Sequence, residues 1–315
     1  LWFAFLTIIL VIAVFALVVA VVFDAFPSAA TASMLYIMLA LIFGVWLYQL
    51  DLPFLVGTAI FVTGVFASVW VGIQYPVALF SHPDLAADAI VLFGDGGSWL
   101  PLASAQNVNV AAWVPIIVVY AFVASVLPVW TLLQPRDYLS SFLLYAGVGG
   151  MVVGIILGSL GTFDPVTVDG TTYSALETQL PAFTGFFSES LGPLFPFLFV
   201  TIACGTISGF HSLVSSGTTA KQLNTESDAR LIGYGGMLGE GLLATTAVAA
   251  LAIVATTEFS SGLAGALANF PTGGGVMLTS LGVPASYGIP FIGLVFVSFL
   301  LTSTDTAVRL GRYMF

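Results

Sequence analysis

Residues 1–23, LWFAFLTIILVIAVFALVVAVVF, contain no charge, no proline and no glycine. A helix needs about 20 apolar residues to cross the hydrocarbon core of a bilayer, and this run is long enough. It has neither a basic leading region nor a small-residue cleavage site, so it reads as a membrane span and not as a secretory signal. The chain opens without an initiator Met and stops at GRYMF, which reads as a piece of a longer polypeptide.

The rest of the 315 residues continues in the same character. Hydrophobic residues make up 59% and charged residues 6% of the chain, and the mean hydropathy is +1.11. Soluble domains carry roughly a quarter charged residues, and a fold with so few charges cannot cover its surface in water. The expected class is an all-α polytopic membrane protein, with residues 1–315 forming a single transmembrane domain in the lipid bilayer. Cys204 is the only cysteine, so no disulfide can close within the chain. With one Cys and two well-separated His residues, a zinc site lacks ligands. No phosphate-binding loop or basic patch is present, so no metal, cofactor or nucleic-acid partner is expected.

Apolar runs separated by Pro, Gly and polar clusters predict eight spans, near residues 1–23, 30–50, 54–75, 111–133, 139–161, 192–214, 231–256 and 287–304. Their length suits helices, whereas a membrane barrel shows short alternating segments. All five basic residues fall on one side of this map. Arg136 lies in the expected turn QPRDY, Lys221 and Arg230 in the connection TTAKQLNTESDAR, and Arg309 and Arg312 in the tail. Residues 76–110, 162–191 and 257–286 read as long loops without one Lys or Arg. The positive-inside rule then places the basic connections in the cytoplasm and the protein in the plasma or inner membrane. Gly150, Gly154 and Gly158 repeat every four residues, as do Gly235 and Gly239, a spacing that lets helices approach closely.

The sixth span and its tail, FVTIACGTISGFHSLVSSGTTAKQL (199–223), are unusually polar. Thr201, Gly205, Ser208, Ser212 and Ser215 step by three or four and share one helical face, with Cys204, Thr206 and His211 nearby. Polar groups at bilayer depth normally face a bundle interior or a wet cavity. Thr201, Cys204, Thr206, Ser208, His211, Ser212 and Ser215 are therefore candidates to line a solute or ion pathway, with the alternative that hydroxyls bond back to their own backbone. An imidazole titrates near about pH 6.5, which makes His211 a proton-coupling candidate. Glu240, about two turns into the seventh span, is a second one. The fourth span carries Pro115 and Pro128, which tend to kink a helix, and Tyr120 and Ser125 are lining candidates beside them. Arg136, Asp137, Lys221 and Asp305 are candidates for a cytoplasmic gate. For Asp305 the helix-end reading is pairing with Arg309 at i+4.

PVWTLLQPRDYLSSFLLYAG, PFLFVTIACGTISGFHSLVSSGTTAKQL, IGYGGMLGE and LLTSTDTAVRLGRYMF, taken in order over residues 111–315, resemble the carbon starvation protein A family of membrane transporters. The first 110 residues resemble it mainly in hydropathy and loop placement. The resemblance implies uptake of short peptides or pyruvate-like carboxylates, with proton coupling as the drive. It also implies a core of two inverted five-helix repeats, similar to the amino acid–polyamine–organocation superfamily. The eight spans would then be helices three to ten, the first two helices being absent from these residues, with a broken fourth span. The expected function is a secondary active transporter working by alternating access. The alternative is an accessory or structural membrane subunit without transport of its own. An enzyme is not expected: Ser208 or Ser212 beside His211 on one helix do not align as nucleophile and base, and no paired catalytic carboxylates or HExxH motif occur.

Overall fold

The computed structural model describes residues 2–314 except 84, 86–87, 96–104, 169, 184, 189–191, 207–208 and 255–261, and it is predominantly helical. The apolar opening run forms α1 (Trp2–Ala25). Then α2 (Pro27–Tyr48) starts on a proline, whose missing N–H would have no helical acceptor at that position anyway. Asp51, at φ 48°, turns the chain into α3 (Phe54–Gln74). These two helices pack closely along their length. Gly57 lies against Phe43 and Trp46, and a Cβ on Gly72 would sit 2.5 Å from the Ser28 carbonyl oxygen.

A short parallel pair, β1 (Val77–Ala78) and β2 (Ile90–Val91), precedes α4 (Ala105–Val126), which contains Pro115. Pro128 lies in the irregular turn that follows, and α5 (Leu133–Leu157) begins beyond it and closes in a π turn over Gly158–Thr162. A hairpin, β3 (Val166–Val168) and β4 (Thr171–Tyr173), and a second pair, β5 (Phe187–Ser188) and β6 (Gly192–Pro193), lead to α6 (Leu194–Thr206) and α7 (Gly209–Gly217). Next, α8 (Glu226–Ile253) opens with a capping box in which Thr225 and Asp228 satisfy each other's backbone N–H groups. The chain finishes with α9 (Gly262–Thr279) and α10 (Ala285–Met314).

Two apolar cores result. One joins α1, α2, α3, α4, α5 and α10, and the other joins α5, α8, α9 and α10 with the β3–β4 hairpin. Among the described residues six helices are long and apolar enough to cross a membrane, namely α2, α3, α4, α5, α8 and α10, and the apolar run Ile9–Ala25 of α1 is shorter. This is an all-α polytopic membrane protein.

The sixth span, expected over 192–214, coincides with α6 and most of α7, with residues 207–208 between them outside the described residues. Other expectations change. The expected loop 257–286 contains α9, packed inside the bundle. Its Gly, Asn and Pro residues read as loop signals, yet the glycines are contact points. A Cβ on Gly273 would collide with the Ala250 carbonyl oxygen, and Gly275 lies against Ile289. Small residues here admit neighbouring backbones, which sequence composition cannot distinguish from chain breaking. Gly150, Gly154 and Gly158 do face close neighbours, whereas Gly235 and Gly239 have nothing within 4 Å. Residues 229–242 of α8 are exposed.

Candidate functional site

QPRDY was expected as a surface turn, but it lies in the first turn of α5, where Pro135 is compatible with a helix start. That shift places Arg136 inside the bundle. On α10, Thr302, Asp305 and Arg309 are spaced by three and four and occupy one face. Tyr120 comes from α4. Arg136 and Asp305, both with side chains 0% exposed, form a direct ion pair. The same guanidinium nitrogen, Nη1, donates to the Tyr120 hydroxyl, which in turn donates to Asp305 Oδ2 at 2.9 Å.

The other fork of the guanidinium is also engaged. Nη2 of Arg136 reaches Asp137 Oδ1 at 3.2 Å and Thr302 Oγ1 at 3.1 Å. The Thr302 hydroxyl lies 3.1 Å from Asp137 Oδ1 and 3.0 Å from the Ser298 carbonyl. One charged side chain thus ties together α4, α5 and α10. Among the described residues, three buried polar atoms in this neighbourhood lack a hydrogen-bond partner: Arg136 Nε, Asp305 Oδ1 and the hydroxyl of Tyr36 on α2. Tyr36 is within Coulombic reach of Arg136 and Asp305.

Arg309 does not pair with Asp305. Its Nη2 donates to the carbonyls of Ala124 and Leu127, each at 2.7 Å. Those carbonyls belong to the end of α4, where helical acceptors lose their intrahelical partners and a positive charge is favoured by the helix dipole. The i+4 pairing expected from sequence fails because each residue has a better partner across the bundle.

Of the residues singled out from sequence, the structure brings together Tyr120, Arg136, Asp137 and Asp305. Ser125 is buried one turn beyond Tyr120, but its hydroxyl returns to the Phe122 carbonyl at 2.7 Å. Ser212 and Ser215 are exposed on α7, with the Ser215 hydroxyl on the Ser212 carbonyl at 2.9 Å. Lys221 is exposed after α7, and Glu240 lies on the exposed stretch of α8; neither is a member of the Arg136 cluster. Ser208 lies outside the described residues, as do the side chains of Thr201, Cys204, Thr206 and His211. Sequence reasoning missed Tyr36 and Thr302. It also missed a second buried polar cluster, Asp24, His82 and Asn109, at the opposite end of α4. Asp24, the lone charge closing the first apolar run, was the available signal.

The fold defines a polytopic helical membrane protein in which a buried arginine–carboxylate network joins α4, α5 and α10. The chain belongs to the family of carbon starvation protein CstA, whose profile matches residues 1–268. The match begins at residue 1, so it includes the N-terminal third. The chain is 48% identical over 147 residues to the peptide transporter CstA of Helicobacter pylori, covering 45% of this chain and 19% of that protein. It is 41% identical over 177 residues to the pyruvate/proton symporter BtsT of Escherichia coli, covering 55% and 22%. With the peptide transporter CstA of Bacillus subtilis the figures are 36% over 233 residues, 62% and 36%. These matches cover between 19% and 36% of the relatives' length. No solved structure matches.

Proposed function

We propose that this chain is the membrane core segment of a secondary active transporter that takes up small metabolites, either short peptides or pyruvate-like carboxylates, by alternating access coupled to protons. The observation that carries the reading is the Arg136–Asp305–Tyr120 network, which locks α4, α5 and α10 at one end of the bundle. A buried ion pair is a two-state fastener: separating its members leaves each charge uncompensated in a low dielectric. Protonating Asp305 removes the charge that holds Arg136, so proton binding and opening of this end are linked. The network is the inner gate, with Asp137 beside it and Lys221 at its rim. The names of relatives in the family, peptide transporter and pyruvate/proton symporter, support this reading.

In the same reading the inverted-repeat core sits in the cell membrane with Arg136, Lys221, Arg230, Arg309 and Arg312 toward the cytoplasm. The polar residues of α6 and α7 (Thr201, Cys204, Thr206, His211, Ser212 and Ser215) together with Ser208 line the pathway, and His211 and Glu240 exchange protons along it. The test is uptake of labelled pyruvate, with di- and tripeptides as competitors, into proteoliposomes under an inward proton gradient. Saturable uptake that stops when the gradient is collapsed is the expected result, and the competition pattern names the substrate class. Folded protein that moves none of these solutes sinks the transporter reading in favour of an accessory subunit.

A further inference from the structure

Tyr36 of α2 is wholly buried, and its hydroxyl has no hydrogen-bond partner among the described residues. The charges that act on it are Arg136, most strongly, then Asp137 and Asp305. A buried tyrosine hydroxyl normally finds a partner, and one left without a partner costs the desolvation of a polar group. A phenylalanine would fill the same space without that cost, so packing alone does not account for the hydroxyl. Ser33, one turn earlier on α2, returns its own hydroxyl to the Ala29 carbonyl at 2.6 Å and does not compete for the same partners.

The ion pair next to it has unused valences of both kinds. Nη1 of Arg136 serves Asp305 and Tyr120, and Nη2 serves Asp137 and Thr302. Nε is left as a donor without an acceptor. Asp305 receives both Arg136 and Tyr120 on Oδ2, and Oδ1 is left as an acceptor without a donor. A guanidinium only donates and a carboxylate only accepts, whereas a phenol does both. Tyr36 can therefore serve either member of the pair. Tyr120 is already committed to both. Among the described residues the network takes hydrogen bonds from α4, α5 and α10 and none from α2.

We propose that Tyr36 is a positioning residue of this gate: the alternate hydrogen-bond partner that takes up Arg136 or Asp305 when the two separate. Its hydroxyl is idle while the pair is closed and bonded once the pair parts. A released charge is then not stranded without a partner in low-dielectric surroundings, the outcome that makes breaking a buried pair so unfavourable. Separation costs less beside this tyrosine than it would beside a phenylalanine, and it ties α2 to the opened end. The role in gating rests on the transport reading given above; the alternate pairing does not.

A double-mutant cycle read by melting in detergent tests the pairing without any transport. In the parent, Tyr36→Phe is expected to leave the melting temperature unchanged or to raise it, because an unpartnered hydroxyl is removed. In Asp305→Ala, where Arg136 has lost its carboxylate, the same change is expected to lower melting by several degrees, through loss of a hydrogen bond to a charged group. Asp305→Asn, which keeps the side-chain shape, supplies the comparison if Asp305→Ala does not fold. A packing role for Tyr36 gives one shift in every background. Equal shifts in the two backgrounds, or a larger loss in the parent, overturn the proposal. In proteoliposomes Tyr36→Phe is expected to lower the maximal uptake rate several-fold at an unchanged half-saturating solute concentration, since the hydroxyl acts on the gate and not on the solute. An unchanged rate overturns its part in gating. A parent that moves no solute removes the transport reading and leaves the melting cycle to decide the pairing.

Discussion

The Arg136–Asp305 pair places two opposite charges out of reach of solvent. Removing one partner leaves the other charge buried and alone, which costs about 3–5 kcal/mol in comparable sites, whereas replacing both with apolar residues of similar volume is often neutral. Asp305→Ala is therefore expected to lower thermal stability in detergent markedly, and the double variant Arg136→Met/Asp305→Leu to recover most of it. Gradient-driven uptake should be lost in both. If the double variant is as unstable as the single one, the pair is not the fastener described above. Tyr120→Phe is milder. It keeps the ring and removes one bridging hydroxyl, so a loss of about 1–2 kcal/mol is expected from a melting comparison. Asp305 was legible in the sequence as a carboxyl near a helix end, but its partner was not. Arg309 stands four residues away on the same helix, and Arg136 is 169 positions distant in the chain.

Helices in this protein meet through their glycines, and not all glycines matter equally. A Cβ on Gly154 of α5 would collide with the Met277 carbonyl oxygen of α9, whereas one on Gly149 would meet nothing within 4 Å. Gly154→Ala is expected to cost about 1–3 kcal/mol by forcing the two backbones apart, and Gly149→Ala to stay within about 0.5 kcal/mol. Thermal scans of the two purified variants decide it, and equal melting would remove α5–α9 contact as the reason for the Gly150–Gly154–Gly158 spacing. The end of α4 makes a second case. Arg309→Lys retains the charge but replaces a planar fork with a single ammonium, which is not equivalent where two carbonyls must be reached. This substitution is expected to destabilise the junction of α4 and α10 by about 1 kcal/mol, read in the same scans.

At the scale of the whole molecule, Arg309 meets the end of α4, Arg136 reaches Tyr120 of the same helix, and Gly217, closing α7 ahead of Lys221, lies against Leu310 of α10. With Cys204 replaced, Ser227→Cys at the start of α8 should react with an impermeant maleimide only after cells are opened, and Leu92→Cys should react in intact cells. The reverse pattern would invert the orientation. By itself the sequence determined that this chain lives in lipid and crosses it repeatedly as helices, because hydrocarbon demands long uncharged runs whose backbones bond internally. It also pointed to Tyr120, Arg136, Asp137 and Asp305, because polar and charged side chains stand out against an apolar background. Only the tertiary structure decided that α9 is a packed helix and which charges neutralise which. Those outcomes depend on partners far apart in the chain, and a glycine or a carboxylate looks the same in sequence whether it borders solvent or another helix.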